Sequence, residues 1–138
     1  MTKQICLSVL IGCFLVIVGC GGSKYADSIE VNEKFVQLME DYVNALEKAS
    51  SADQVATAMN SFADGMEVLG PKIKELAKKY PELTNTENLP EELRASQKRV
   101  EEVGKKMAGA FMKIMPYMRD PAVQDAQKRV STVMANMA

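Results

Sequence analysis

The segment Val55–Tyr80 reads VATAMNSFADGMEVLGPKIKELAKKY, and its apolar positions decide the fold. Val55, Met59, Phe62, Met66, Leu69, Ile73, Leu76 and Tyr80 follow one another at alternating steps of four and three. That is the a/d seam of a heptad repeat, which lays these side chains along one stripe of a helix. Gly70-Pro71 falls inside the seam. Proline has no amide hydrogen to donate and its ring clashes with the preceding turn, so a kink is expected there. The register crosses the dipeptide without a slip, which a loop would not require. The spacing therefore predicts one kinked helix, closed by Tyr80-Pro81, with Lys78 and Lys79 complementing the negative end of its dipole.

Upstream, Ser51 and Gln54 form a capping box that opens this helix. Before it, Val31, Phe35, Leu38, Tyr42, Ala45 or Leu46, and Ala49 make the stripe of a first helix beginning at Ser28. The turn between the two helices is short, which makes them antiparallel neighbours. Downstream, Pro81–Leu89 is polar and reads as a loop, and Pro90 suits a first helical turn. Leu93, Val100, Val103, Met107, Ala110 or Phe111, Ile114 and Met118 give a third stripe, disturbed at its end by Pro116. Asp120-Pro121 reads as the N-cap and first residue of a short last helix with Val123, Ala126, Val130, Val133 and Met137 on one face. The expected fold is all-α: an antiparallel helical bundle of three long helices plus one short C-terminal helix, over residues 28–138.

Composition agrees with helix-on-helix packing. The 138 residues include ten Met, no His, no Trp and only 6% aromatics. The three cysteines, Cys6, Cys13 and Cys20, all lie within the first twenty residues, so the helical domain has no thiol chemistry and no disulfide. The chain carries 17 basic and 18 acidic side chains, and this near balance argues against a nucleic-acid partner.

The amino terminus sets the expected location. Lys3 precedes an apolar run from Ile5 to Val18, too short for the roughly 20 residues of a membrane-crossing helix and of the length of a signal-peptide core. Ile17-Val18-Gly19-Cys20 resembles the lipobox of bacterial lipoproteins, with Gly19 and Cys20 matching, Ile17 a conservative stand-in and Val18 a less common choice. The resemblance covers residues 1–23 only. It implies removal of residues 1–19 and attachment of diacylglycerol and a further acyl chain such as palmitate to Cys20. It also implies a location on the cell envelope, facing the periplasm from the outer membrane if the source has two membranes, because Gly21 follows the cysteine where Asp would signal inner-membrane retention. Residues 20–27, with Gly21-Gly22-Ser23, then form a flexible tether. An ordinary secretory signal and an uncleaved anchor are the alternatives.

No arrangement of residues marks catalysis. The carboxylate pairs Glu30/Glu33, Glu40/Asp41, Asp64/Glu67, Glu91/Glu92 and Glu101/Glu102 lack the histidines that di-iron bundles need, and read as a solvated face. Serine or cysteine nucleophiles lack an imidazole base. The chain is accordingly read as a non-enzyme without a cofactor or metal. Lys72, Lys74, Lys78 and Lys79 could meet anionic headgroups, whereas Lys98, Arg99, Lys105 and Lys106 are expected to pair locally, as Glu101–Lys105 and Glu102–Lys106. Met112, Met115 and Met118 are soft enough for Cu(I), but their spacing spreads them around the helix and core filling explains methionine here. Ala56, Ala63, Gly65, Gly104, Ala108 and Gly109 would allow close helix approach or leave a slot. The functional expectation is a lipid-anchored binding, adaptor or structural protein with an envelope protein partner. Carriage of an apolar ligand between helices, and Met-based copper binding, are the alternatives.

Overall fold

A computed structural model describes residues 23–84 and 89–137. The leader, Cys20 and the first part of the tether lie outside the described residues, as do Asn85 and Thr86 of the expected loop. The described chain forms four α-helices: α1 (Ala26–Lys48), α2 (Ala52–Lys79), α3 (Glu91–Ile114) and α4 (Pro121–Ala135). A 3-10 turn, Pro81–Thr84, follows α2, and another, Met115–Tyr117, joins α3 to α4 where Pro116 disturbs the stripe. The fold is all-α, and among the described residues no helix is long and apolar enough to cross a membrane.

Local signals place the helix ends. The Ser51 hydroxyl accepts from the Gln54 amide, and the Gln54 side chain accepts from the Ser50 amide, one residue earlier than in the standard capping box. Asp120 caps α4 through the Ala122 amide, with Pro121 at its first position. α2 runs unbroken through Gly70-Pro71, as the uninterrupted register predicted.

α1 and α2 zip together antiparallel. Tyr42 stacks on Phe62 at 4.5 Å near the turn, and Lys79 Nζ lies 2.5 Å from Asp27 at the other end. Gly65 sits directly beneath Leu38, where an added Cβ would come within 2.7 Å of Leu38 Cδ2. The outer helices follow a different rule. Ser96 donates to Glu33, Arg99 spans Glu33 and Glu40, and Lys113 donates to the Glu47 carbonyl. Residue numbers rise together along both helices, so α3 lies parallel to α1. Arg129 binds Asp64 and Glu67, and Met137 lies over Gly70, so α4 lies parallel to α2. Consecutive helices thus alternate in direction, while each outer helix runs with the inner helix it packs on. α3 and α4 make no extended contact with each other among the described residues.

The largest fully buried side chains are Leu46, Met59, Met66 and Ile114, with Val36, Val43, Val55 and Val123 beside them. Burying such a side chain contributes roughly 1.5–3 kcal/mol. The single stripe expected on α1 was too narrow, because that helix packs on both α2 and α3. Its fully buried positions include Val36 and Val43, while Val31, Phe35 and Leu38 are half-buried. On α3 the inward residue is Ala110, and Phe111 stays 42% exposed.

Candidate functional site

The four helices differ in length, and that difference creates a cavity. α2 has 28 residues and α4 only 15, so by 1.5 Å per residue they are about 42 and 22 Å long. α4 starts at the α1–α2 turn end and stops level with Gly70, where Met137 rests. A Cβ on Gly70 would meet Met137 Sδ at 2.7 Å, so glycine permits this approach. Beyond Gly70 no described helix continues the cover that α4 gives to that face of α2. Ile73, Leu76 and Ala77 there line a half-open cavity of about 440 Å³ instead of a filled core.

The other walls come from α1, the first 3-10 turn, α3 with the residues just before it, and the end of α4. α1 supplies Val31 and Phe35, the first 3-10 turn Leu83, the segment before α3 Leu89, and the first turn of α3 Leu93. Met66, Met134 and Met137 close the inner end, soft thioethers that adapt to irregular shapes. Into this apolar lining come three uncharged polar side chains, Ser28, Asn32 and Gln97. Ser28 is 7% exposed, and its Oγ has no hydrogen-bond partner among the described residues. A buried hydroxyl left unmade costs about 1–3 kcal/mol, so its position needs an explanation. Sequence reading missed Ser28, because a serine at the start of a helix looks like a cap.

The rim is held by polar contacts. Tyr80 donates its hydroxyl to the Lys24 carbonyl at 2.8 Å and to Asp27 at 3.0 Å, while Tyr25 meets the Tyr80 ring edge-on at 5.2 Å. Lys24 pairs with Glu82 at 2.8 Å, and Ser23 donates to Glu92. The hydrogen bond from Lys79 holds the Asp27 carboxyl below its ordinary range, and that from Lys24 does the same for Glu82. The amino-terminal end of α1 is thereby fastened to the mouth of the cavity.

Other expected sites are distributed as follows. Met59 and Met66 are buried, and Met107 and Met118 pack against the core. Met112 and Met115 are 76% and 67% exposed, so the structure does not gather Met112, Met115 and Met118 into one enclosed site. The carboxylates at Glu33/Glu40 and Asp64/Glu67 clasp Arg99 and Arg129 across helices. The expected Glu101–Lys105 and Glu102–Lys106 pairs do not form. All four side chains are exposed, where pairing gains little. Gly104 and Gly109 face open space instead of another helix. Lys72, Lys74 and Lys78 are exposed along the cavity half of α2. A second depression, on the outer face of the α1–α2 hairpin, has the Tyr42–Phe62 stack in its floor and Asp41, Lys48 and Asp53 at its edge.

In comparisons with known proteins, no family model, curated protein or solved structure matches the chain.

Proposed function

We propose that the protein is a lipid-anchored, extracytoplasmic binding protein of the cell envelope that holds an apolar ligand in the cavity between α1, α2 and α3. The observation that carries this reading is the 440 Å³ space itself, within the size range of small-molecule sites and lined mainly by apolar side chains. The proposed anchor supports it. Cys20 precedes Ser23 by three residues, and a fully extended chain spans about 3.6 Å per residue, which limits their separation to about 11 Å. A lipid on Cys20 would keep the cavity mouth at the membrane surface, with Lys72, Lys74 and Lys78 available to anionic headgroups. An apolar ligand could then pass between bilayer and protein without crossing much water. Nothing in the site requires catalysis.

A second reading, as an adaptor, draws on the opposite end of α3. Phe111, Met112 and Met115 are exposed there, away from the tether, where they could meet an envelope protein.

Native mass spectrometry of the full-length protein, extracted from membranes in mild detergent, tests both parts. The expected covalent mass lacks Met1–Gly19 and includes acyl groups that disappear in Cys20→Ser. A non-covalent lipid adduct is expected beside it. An unprocessed, unacylated chain would remove the anchor, and a persistently empty protein would favour the adaptor.

A further inference from the structure

The cavity has a chemical bias as well as a size. Among the described side chains that line it, the only titratable one is Tyr80, whose hydroxyl is already engaged by the Lys24 carbonyl and Asp27. The cations held at the rim, Lys24 and Lys79, are committed to Glu82 and Asp27. A carboxylate or phosphate drawn into this space would find no counter-charge, and an unpaired buried charge is strongly disfavoured. A pure hydrocarbon fits the walls but leaves the Ser28 hydroxyl unsatisfied. Asn32 and Gln97 likewise have no hydrogen-bond partner among the described residues. Four residues apart on α1, Ser28 and Asn32 share one face of that helix, and Gln97 belongs to the same cavity from α3. Asn32 and Gln97 can donate to a neutral carbonyl oxygen directly, and the Ser28 hydroxyl, sealed from solvent in this structure, can do so once its side chain rotates toward the cavity.

Volume narrows the choice further. At about 440 Å³ the half-open cavity lies near the lower end of the small-molecule range, which suits a ligand with one chain better than one with two. We propose that the cavity selects a single-chain, uncharged lipid whose ester or amide carbonyl is bound by Ser28, with Asn32 and Gln97 beside it. This rests on the reading of the cavity as a ligand site. The lipid comes from the membrane surface rather than from the protein's own anchor, because withdrawing an anchor chain would give up that chain's hold on the bilayer.

The probes are monopalmitoylglycerol, which is neutral, and palmitate, which has the same chain with a charged head at alkaline pH. Equal amounts are offered to the full-length protein in mild detergent, and adducts are compared by native mass spectrometry. The neutral ester is expected to exceed palmitate by at least about tenfold, the factor that corresponds to 1.4 kcal/mol. Ser28→Ala should reduce this preference by about tenfold for the same reason, yet raise the melting temperature of the empty protein by removing an unsatisfied hydroxyl. Ala77→Trp, placed on the cavity wall at an exposed helix position, should exclude both ligands. No adduct with either ligand, or adducts indifferent to Ala77→Trp, would sink the cavity as a ligand site altogether. Adducts blocked by Ala77→Trp but no richer in the ester than in palmitate would overturn only the proposed lipid class. An empty wild type beside a loaded Cys20→Ser variant would identify the anchor itself as the occupant and overturn the membrane source.

Discussion

The two halves of α2 carry the same heptad seam and meet opposite fates. Before Pro71 lie all of the helix's buried residues, from Val55 to Gly70. After it, Ile73 and Leu76 occupy equivalent seam positions and are only half-buried, lining a cavity. The difference does not arise within α2. α4 ends level with Gly70, so one half of the seam is flanked closely by α1 and α4, while among the described residues the other has α1 and the 3-10 turn Pro81–Thr84, with α3 across the cavity. Helix length elsewhere in the chain has turned part of a core pattern into a binding wall. A heptad seam specifies an apolar face, and a neighbour must still arrive to bury it.

The largest expected effect lies in the filled half. Leu46 is fully buried opposite the first half of α2, so Leu46→Ala should destabilise by about 2–5 kcal/mol through lost transfer energy and a new void. Leu76→Ala removes the same atoms from a half-exposed wall beside space that already exists, and should cost about 1 kcal/mol, near the centre of ordinary point-mutant effects. Urea unfolding of both variants measures the contrast. Equal losses would mean that the cavity half is closed in solution, and the comparison would break.

Pro71 marks the boundary and gives a smaller effect of opposite sign. It sits exposed within a continuous helix, where proline costs about 3 kcal/mol relative to alanine. Alanine also frees the unfolded chain, returning up to about 1 kcal/mol of that gain. Pro71→Ala should therefore stabilise the protein by about 2 kcal/mol in the same urea experiment. A loss of stability would show that the break in the amide ladder is needed to hold the two halves of α2 in their different surroundings.

Much of this division was legible in the sequence, but its consequence was not. The seam, the continuity through Gly70-Pro71 and the shortness of the last helix followed from spacing and from Asp120-Pro121. What remained hidden depends on which helix meets which. Arg99 and Arg129 gave no local sign that they would clasp carboxylates about sixty residues away, since their partners are fixed by the parallel placement of α3 on α1 and α4 on α2. Gly104 and Gly109 looked like contact residues because a small side chain announces room for a neighbour without saying whether one comes. Ser28 was invisible for the converse reason. Only burial without a hydrogen-bond partner among the described residues makes its hydroxyl unusual.

Acidification separates the two ends by a smaller margin. Asp27, Glu82 and Glu33 have carboxyls held below their ordinary values by hydrogen bonds from Lys79, Lys24 and Ser96 respectively, and all three lie in the tether half of the bundle. A carboxylate depressed in the folded state binds fewer protons there than in the unfolded chain. Its contribution is thus fully present above the unfolded value, about pH 4, and is lost as the pH falls through the lower folded value. These groups are solvent-accessible and their individual contributions are small. The expected outcome is local: below about pH 4, amide exchange should accelerate for residues 24–28 and 79–82 before it changes at Val43 and Leu46, which face an uncharged core. Added salt should weaken the same contacts and shift the onset in the same direction, because the pairs at the mouth are screened whereas the packing at the turn end is not. Simultaneous loss of protection at both ends would show that the mouth is held by the core beneath it, with Asp27, Glu82 and Glu33 adding nothing that exchange can detect.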